Sequence, residues 1–259
     1  MLLAIQVLMT CACGDEAVRR GTTVLFASGA DLQSINPLLT LHPLARQVQR
    51  YVLLTTLARY DSLLVPRPYL ARSWRWSDGG RALTFRLRTD VRWHDGNATT
   101  ARDVVWTLQA ARDPATGYPR YTELQGVTSV AALDDSTVEL RFADSAEPRG
   151  GAELPDVLTD LAILPAHLLD SVPHARLREA AWNVNPVGNG PFRFVTHEPN
   201  RRWVFTRNDW YRNLDGLPDL EALQKNVNAQ KELGFIKADF DVKKSADLSL
   251  VREAAARLR

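Results

Sequence analysis

The spacing of hydrophobic and polar positions predicts a chain built largely of short strands. Residues 82–88 (ALTFRLR) alternate apolar and polar side chains, as expected of a strand with one buried face. Runs rich in β-branched and aromatic residues, closed by turn-forming residues, predict further strands. These runs are residues 22–27, 127–130, 137–142, 193–195 and 203–206, with turns at 77–80, 95–97, 134–135 and 199–200.

Helical spacing appears in the intervening stretches. Apolar residues recur from Leu44 through Val48 to Val52 or Tyr51, which predicts a surface helix over residues 44–59.

A second helix is predicted to begin at Thr100, or at Thr99, with Asp103 completing a variant capping box, and to run through Leu108. Residues 157–169 are mostly apolar, and Pro165 is typical of the start of a helical turn. Strands interspersed with helices indicate an α/β or mixed α+β domain.

The N-terminus has the pattern of an export signal. Residues 2–9 are apolar except Gln6, and this run is too short to span a bilayer. Small residues before Cys13 resemble a bacterial lipoprotein cleavage site, so we expect residues 1–20 to be a signal segment with lipidation at Cys13, or alternatively at Cys11. Because no Lys or Arg precedes the run, an apolar end with two incidental cysteines is the other interpretation.

The composition changes between residues 211 and 225. All five lysines follow residue 224, whereas all seven tryptophans lie at or before 210 and all 14 prolines at or before 218. Residues 212–259 show two helical faces and are predicted to be a helical tail of different origin. Residues 233–238 (LGFIKA) and 247–251 (DLSLV) resemble the C-terminal end of binding proteins from nitrate, taurine and pyrimidine-precursor importers. A lineage-specific chain end is the alternative.

Charge and cysteine content exclude several functional classes. With 32 basic and 30 acidic side chains, the formal net charge is only +2, which does not favour binding to nucleic acid. Both cysteines lie at the N-terminus, so the body has no thiol for a disulfide, a zinc site or a nucleophile.

His94 and Asp95 are tempting as a catalytic pair, but Asp95 and Gly96 are typical of a turn, and no third group completes a triad or a metal set. We therefore assign no catalytic residue, metal or cofactor.

A series of ordered motifs resembles the family 5 extracellular solute-binding proteins, which bind oligopeptides, dipeptides or nickel complexes for ABC importers. The motifs are residues 34–37 (SINP), 57–61 (LARYD), 68–74 (PYLARSW), 83–96 (LTFRLRTDVRWHDG), 100–104 (TARDV), 163–169 (ILPAHLL) and 185–192 (NPVGNGPF). Two departures are Arg102, where the family usually has Glu, and Asn189, where it usually has Thr.

The resemblance implies a periplasmic binding-protein-like fold of type II. Residues 22–211 would form an incomplete first lobe, and the second lobe that closes over the ligand would be missing. The implied partners are a peptide ligand and an ABC permease, and the implied location is extracytoplasmic, with a lipid anchor to the membrane. The residues implied to line the ligand wall are Leu41, His42, Pro43, Tyr118 and Tyr121. A single lobe would leave one side of a peptide in water, so we expect a Kd no tighter than about 100 μM.

Two other functions remain open at this point. An envelope hydrolase acting on peptides or glycans would need a nucleophile elbow, paired carboxylates or a metal motif, and none stands out. A non-functional remnant of a binding-protein gene would show no stabilisation by ligand.

Overall fold

The computed structural model describes residues 31–32, 34–61, 63–143, 153–211 and 228. The predicted strand at 22–27, both cysteines and nearly all of the predicted tail lie outside the described residues, and the domain boundaries stay predictions. The helices and strands are α1 (Pro43–Val48), continued by a π-helical segment (Gln49–Leu53), β1 (Ala58–Tyr60), β2 (Pro66–Pro68), β3 (Ala71–Ser77), β4 (Ala82–Leu87), α2 (Ala101–Arg112), β5 (Val127–Asp134), β6 (Thr137–Phe142), α3 (Asp156–Asp160), α4 (Ala166–Leu169), β7 (Phe192–Glu198) and β8 (Arg202–Arg207).

The main sheet has four antiparallel strands in the order β3-β4-β6-β5. Its register pairs Phe85 of β4 with Val138 of β6, and Leu83 with Leu140. These four side chains are buried, while Arg86 on the opposite face of β4 is exposed. The period-two pattern therefore predicted both the strand and its buried face, and the hairpin around residues 134–135 is confirmed as well.

Helix α2 packs against β5 and β6 and begins where its capping signal predicts. The Asp103 carboxylate accepts a hydrogen bond of 2.8 Å from the Thr100 backbone N–H. It also accepts from the backbone N–H of Ala166, at the start of α4, and from the indole N–H of Trp93. Burial raises the pKa of Asp103, although all three of these donors oppose the rise. Asp103 thus connects the first residues of α2 and α4 with Trp93, which precedes the turn at residues 95–97.

The predicted helix over residues 44–59 is wrong at its C-terminal end. Helical geometry stops at Leu53, Leu54 is extended, and Ala58–Tyr60 forms β1. The Thr55 N–H donates to Asn189 Oδ1 at 2.9 Å, and the Thr55 carbonyl accepts from the Ile163 N–H at 2.9 Å. These bonds to distant residues satisfy the backbone in an extended conformation, so they override the local helical pattern.

The predicted hairpin at residues 193–206 is confirmed as β7 and β8. Asn200 occupies its tip with φ of 56°, a left-handed conformation that asparagine tolerates better than most residues. Phe194, Trp203 and Phe205 pack from this hairpin against the core. Within the described ranges, none of the helices has the length and apolar character needed to cross a bilayer.

Candidate ligand-binding site

Three arginine side chains converge on one carboxylate. Asp160, the last residue of α3, accepts from Arg46 and Arg120 at Oδ2 and from Arg50 at Oδ1. The Arg120 Nη1–Asp160 Oδ2 distance is 2.5 Å. Only 12% of the Asp160 side chain is exposed, so these charge-assisted bonds form where water screens them weakly. We call these four residues the arginine cluster.

Each arginine is positioned by a different part of the local structure. Arg46 lies in α1 and Arg50 in the π-helical segment, four residues apart, so both side chains reach the same side of the helix. Arg120 precedes a 3-10 turn and is held by both carboxylate oxygens of Glu123, at 2.6 and 2.5 Å. The hydrogen bonds that Arg120 donates to Glu123, followed by the negative charges of Glu123 and Asp160, raise the pKa of Arg120.

Two arginines of the cluster lie beside the two segments that the resemblance assigns to the ligand wall. The first segment ends three residues before Arg46, whose backbone N–H donates to the His42 carbonyl at 3.0 Å. The second flanks Arg120, and both Arg120 and Asp160 act electrostatically on Tyr118. Arg46 and Arg120, which lie 74 residues apart in the chain, therefore bind the same carboxylate, that of Asp160.

The five predicted wall residues differ in exposure. Leu41 is 36% exposed, Pro43 is exposed and His42 is half-buried. Tyr121 is half-buried and packs against the core. Tyr118 is only 4% exposed, and this burial raises its pKa to about 12. Tyr118 thus offers little surface to a ligand in this conformation, and the assignment of all five residues to a ligand wall stays a prediction.

The second polar centre is a clasp formed by Gly188, Asn189 and Gly190 against His94 and Leu53. The His94 backbone N–H donates to the Gly188 carbonyl at 2.7 Å. Its ring accepts from the Gly188 N–H at Nδ1, at 3.1 Å, and Nε2 lies 3.0 Å from the Gly190 carbonyl. These partners require the tautomer with hydrogen on Nε2. Burial lowers the pKa of His94 to about 4, so the ring is neutral at pH 7.

His94 and Asp95 point to different partners. While His94 belongs to the glycine clasp, Asp95 Oδ2 lies 2.7 Å from Nε2 of His167. The backbone between them turns at residues 95–97, as predicted from Asp95 and Gly96. The adjacent residues therefore serve two separate structural contacts and do not form a hydrogen-bonded pair.

Asn189, at the centre of the clasp, is fully buried, and both ends of its amide group are hydrogen-bonded. Its Oδ1 accepts from the Thr55 N–H at 2.9 Å, and its Nδ2 donates to Thr99 Oγ1 at 3.3 Å. The Gly190 N–H donates to the Leu53 carbonyl at 2.9 Å. The clasp thus fixes the point at which the arginine-bearing helix ends.

Comparison with known proteins gives one family and a consistent set of relatives. The family model described as bacterial extracellular solute-binding proteins, family 5 Middle, matches residues 65–232. The chain is 32% identical over 155 residues to a Brucella ovis protein that carries the name of an ABC transporter peptide-binding protein, covering 60% of this chain and 28% of that one. It is 31% identical over 179 residues to the oligopeptide-binding protein AppA of Bacillus subtilis, covering 68% and 32%.

Solved structures agree with these relatives. AppA in complex with a nonapeptide superposes with a TM-score of 0.66 at 26% identity, over 79% of this chain and 42% of AppA. Haemophilus influenzae OppA in complex with the peptide RPPGFSPFR gives a TM-score of 0.61 at 29% identity, over 73% and 38%. The mixed α/β class and the type II binding-protein fold are confirmed. The chain spans about a third of the length of the two curated relatives.

Proposed function

Because the chain belongs to the family 5 bacterial extracellular solute-binding proteins, we propose that it is the substrate-binding component of an ABC importer for peptides. The observation that supports this proposal is that Arg46, which follows the predicted wall segment 41–43, and Arg120, within segment 118–121, bind the same Asp160 carboxylate. AppA and OppA, whose structures superpose on 79% and 73% of this chain, are each seen with a bound peptide. The relatives are solute-binding proteins, so the family gives no support to the alternative of an envelope hydrolase.

The proposed ligand is an extended peptide held mainly through its backbone. Hydrogen bonds to a peptide backbone tolerate varied side chains, as in β-strand addition, and apolar wall residues then contact alternate side chains. Leu41 and Pro43 offer exposed apolar surface for such contacts. The proposed partner is a membrane permease of the ABC type, which would accept the peptide from the binding protein.

Ligand-dependent stabilisation tests the proposal directly. At a peptide concentration ten times a Kd of about 100 μM, binding would stabilise the fold by about 1.4 kcal/mol. For a domain of this size that corresponds to a rise in Tm of roughly 3–6 °C. Mixed di- to pentapeptides should give this shift, and mass spectrometry of the same samples should show the peptides intact. Accumulating peptide fragments would favour the hydrolase, and no shift with any peptide would favour the remnant.

We further propose that the protein is extracytoplasmic, as is usual for its family, and anchored by lipid on Cys13. The support is the apolar run at residues 2–9 followed by small residues before Cys13. In bacteria that express the chain, the N-terminal peptide should carry a lipid-modified Cys13. Cys13→Ser should release the protein from membranes, whereas Cys11→Ser should not. An unmodified Met1 together with a free Cys13 thiol would contradict the anchor, and the reverse pattern in the two variants would assign it to Cys11.

A further inference from the structure

We infer that Asn189 is a site of spontaneous deamidation, which the folded glycine clasp suppresses and which opening of the clasp permits. Among the asparagines of the chain, Asn189 alone precedes a glycine. Asparagine is one of the chemically labile residue types, and Gly190 has no side chain to hinder attack by its own backbone nitrogen. The family motif usually has threonine at position 189, so the labile pair is a departure of this chain from that motif.

The reaction needs only water as a co-reactant. The backbone nitrogen of Gly190 attacks Cγ of Asn189 and forms a new C–N bond, while the side-chain nitrogen leaves as ammonia and carries away the proton of the attacking N–H. The product is a five-membered cyclic imide. Water then adds to one of its two carbonyl carbons and opens the ring. Opening at Cγ gives aspartate, and opening at the backbone carbonyl gives isoaspartate.

The clasp blocks each part of this reaction in the folded chain. The Gly190 N–H donates to the Leu53 carbonyl at 2.9 Å, so the attacking nitrogen is held in a backbone hydrogen bond. The Asn189 amide is fixed at both ends, by the Thr55 N–H at 2.9 Å and by Thr99 Oγ1 at 3.3 Å. Asn189 is 0% exposed, so water cannot reach the ring-opening step. Deamidation therefore requires the clasp to open first.

Neither product restores the clasp. Isoaspartate lengthens the main chain by one atom where the packing is tight, because even a Cβ on Gly190 would lie 2.7 Å from the Leu53 carbonyl carbon and 2.8 Å from the Leu54 nitrogen. Aspartate keeps the chain length, but it places a carboxylate at a fully buried position and removes the N–H that Thr99 accepts. A brief opening that ends in deamidation thus becomes permanent, and the modified fraction records how often the clasp has opened.

Peptide mapping by mass spectrometry tests the suppression by the fold. The full chain is incubated in mildly alkaline buffer, either folded or unfolded in guanidinium chloride, and conversion of Asn189 is followed over time. We expect conversion to be roughly 100-fold or more slower in the folded chain, because the rate follows the population of the opened form. Asn97 is the matched control within each sample, because it is exposed but precedes Ala98. We expect Asn97 to convert slowly in both states.

Variants of the clasp test the role of opening. In native buffer, Gly188→Ala should speed conversion of Asn189 about tenfold relative to Gly126→Ala. The added Cβ would lie 2.0 Å from the Leu53 carbonyl oxygen at position 188 but would meet no atom within 4 Å at position 126. If Gly188→Ala does not fold, the wild type in guanidinium chloride below its unfolding transition takes its place, and conversion should accelerate as the denaturant concentration rises.

The modified protein tests whether the change is permanent. After deamidation in guanidinium chloride and return to native buffer, we expect the modified chain to have a Tm at least about 5 °C below that of the unmodified chain. Asn189→Asp, which carries the carboxylate without the longer backbone, should also lower the Tm. Asn97→Asp is the matched control, because it makes the same chemical change at an exposed position and should leave the Tm nearly unchanged.

A folded rate within about threefold of the unfolded rate overturns the inference, and so does conversion of Asn97 as fast as that of Asn189 in the unfolded chain. A folded rate that responds neither to Gly188→Ala nor to low denaturant has the same consequence, as does a modified chain that regains the wild-type Tm. None of these measurements involves a peptide, so their outcome leaves the proposed function untouched.

Discussion

Replacing Gly188 by alanine tests how the glycine clasp holds the fold together. A Cβ at this position would lie 2.0 Å from the Leu53 carbonyl oxygen and 2.9 Å from His94 Cε1. The closest atom is backbone and cannot rotate away, so the segment has to move. That movement would disturb both hydrogen bonds between Gly188 and His94, one to the His94 backbone N–H at 2.7 Å and one to its ring Nδ1 at 3.1 Å.

The expected cost combines strain with lost hydrogen bonds. Overpacking of a filled interior costs about 1–3 kcal/mol, and each of the two hydrogen bonds contributes about 1 kcal/mol net. If the segment moves away from Leu53, the strain decreases but the hydrogen bonds weaken, so the two costs do not add in full. We therefore expect a loss of about 2–5 kcal/mol in the free energy of unfolding. Because natural domains have only about 5–15 kcal/mol in total, this loss is large.

Urea unfolding followed by tryptophan fluorescence measures the difference. Gly126→Ala is the matched control, because a Cβ there meets no atom within 4 Å. We expect the control to stay within about 1 kcal/mol of the wild type, with a small gain possible from reduced entropy of the unfolded chain. If Gly188→Ala unfolds at the same urea concentration as Gly126→Ala with an unchanged m-value, the close approach to Leu53 does not hold the fold in solution.

Three further predictions concern charged groups. Burial lowers the pKa of His94 from 6.5 to about 4. As the pH drops from 6.5 towards 4, the unfolded chain therefore binds a proton at His94 before the folded chain does, and the stability of the fold should decrease. Urea midpoints measured between pH 6.5 and 4 should fall less steeply for His94→Gln than for the wild type. Burial alone would raise the pKa of Asp31, but hydrogen bonds from Asn200, Trp203, His197 and Leu32 lower it from 3.8 to about 2. Asp31 should therefore stabilise the fold above pH 3.8, and this contribution should be lost as the pH falls through about 2. In the same urea titration, Asp31→Asn should lower the free energy of unfolding at pH 7 by at most about 2 kcal/mol. Asp160→Asn leaves the arginines of the cluster without their shared anion and should cost about 1–3 kcal/mol, whereas Asp170→Asn, at the exposed pair with Arg102, should be nearly neutral in the same urea titration.

Features set by neighbouring residues could be predicted from the sequence. Strand β4 and its buried face follow from alternation, and the start of α2 follows from Asp103 three residues after Thr100. The β7–β8 hairpin follows from Pro199 and Asn200, because asparagine accepts the left-handed conformation at the tip. In each case the residues that supply the signal also make the contacts that fix the element.

Features set by distant residues could not be predicted in the same way. The end of the first helix depends on Thr55 bonding to Asn189 and Ile163, both more than 100 residues away. The arginine cluster depends on Asp160, which no local pattern connects to the first helix or to Arg120. Arg46 and Arg50 at helical spacing were a signal that a polar partner faces this helix, but their spacing does not identify that partner.

The glycine clasp and the arginine cluster act on the same helix, the clasp at its C-terminal end and the cluster one to two turns earlier. The Leu53 carbonyl accepts from Gly190, and the Leu54 N–H closes a π-helical turn on the Gln49 carbonyl at 2.9 Å. Changing the winding of this segment by one residue would rotate Arg50 by roughly 100° about the helix axis, away from Asp160. The clasp therefore sets the angular position of Arg50, and Asp160 sets that of Arg46 one turn earlier. A change in the clasp that leaves the protein folded should therefore weaken the ion pair between Arg50 and Asp160.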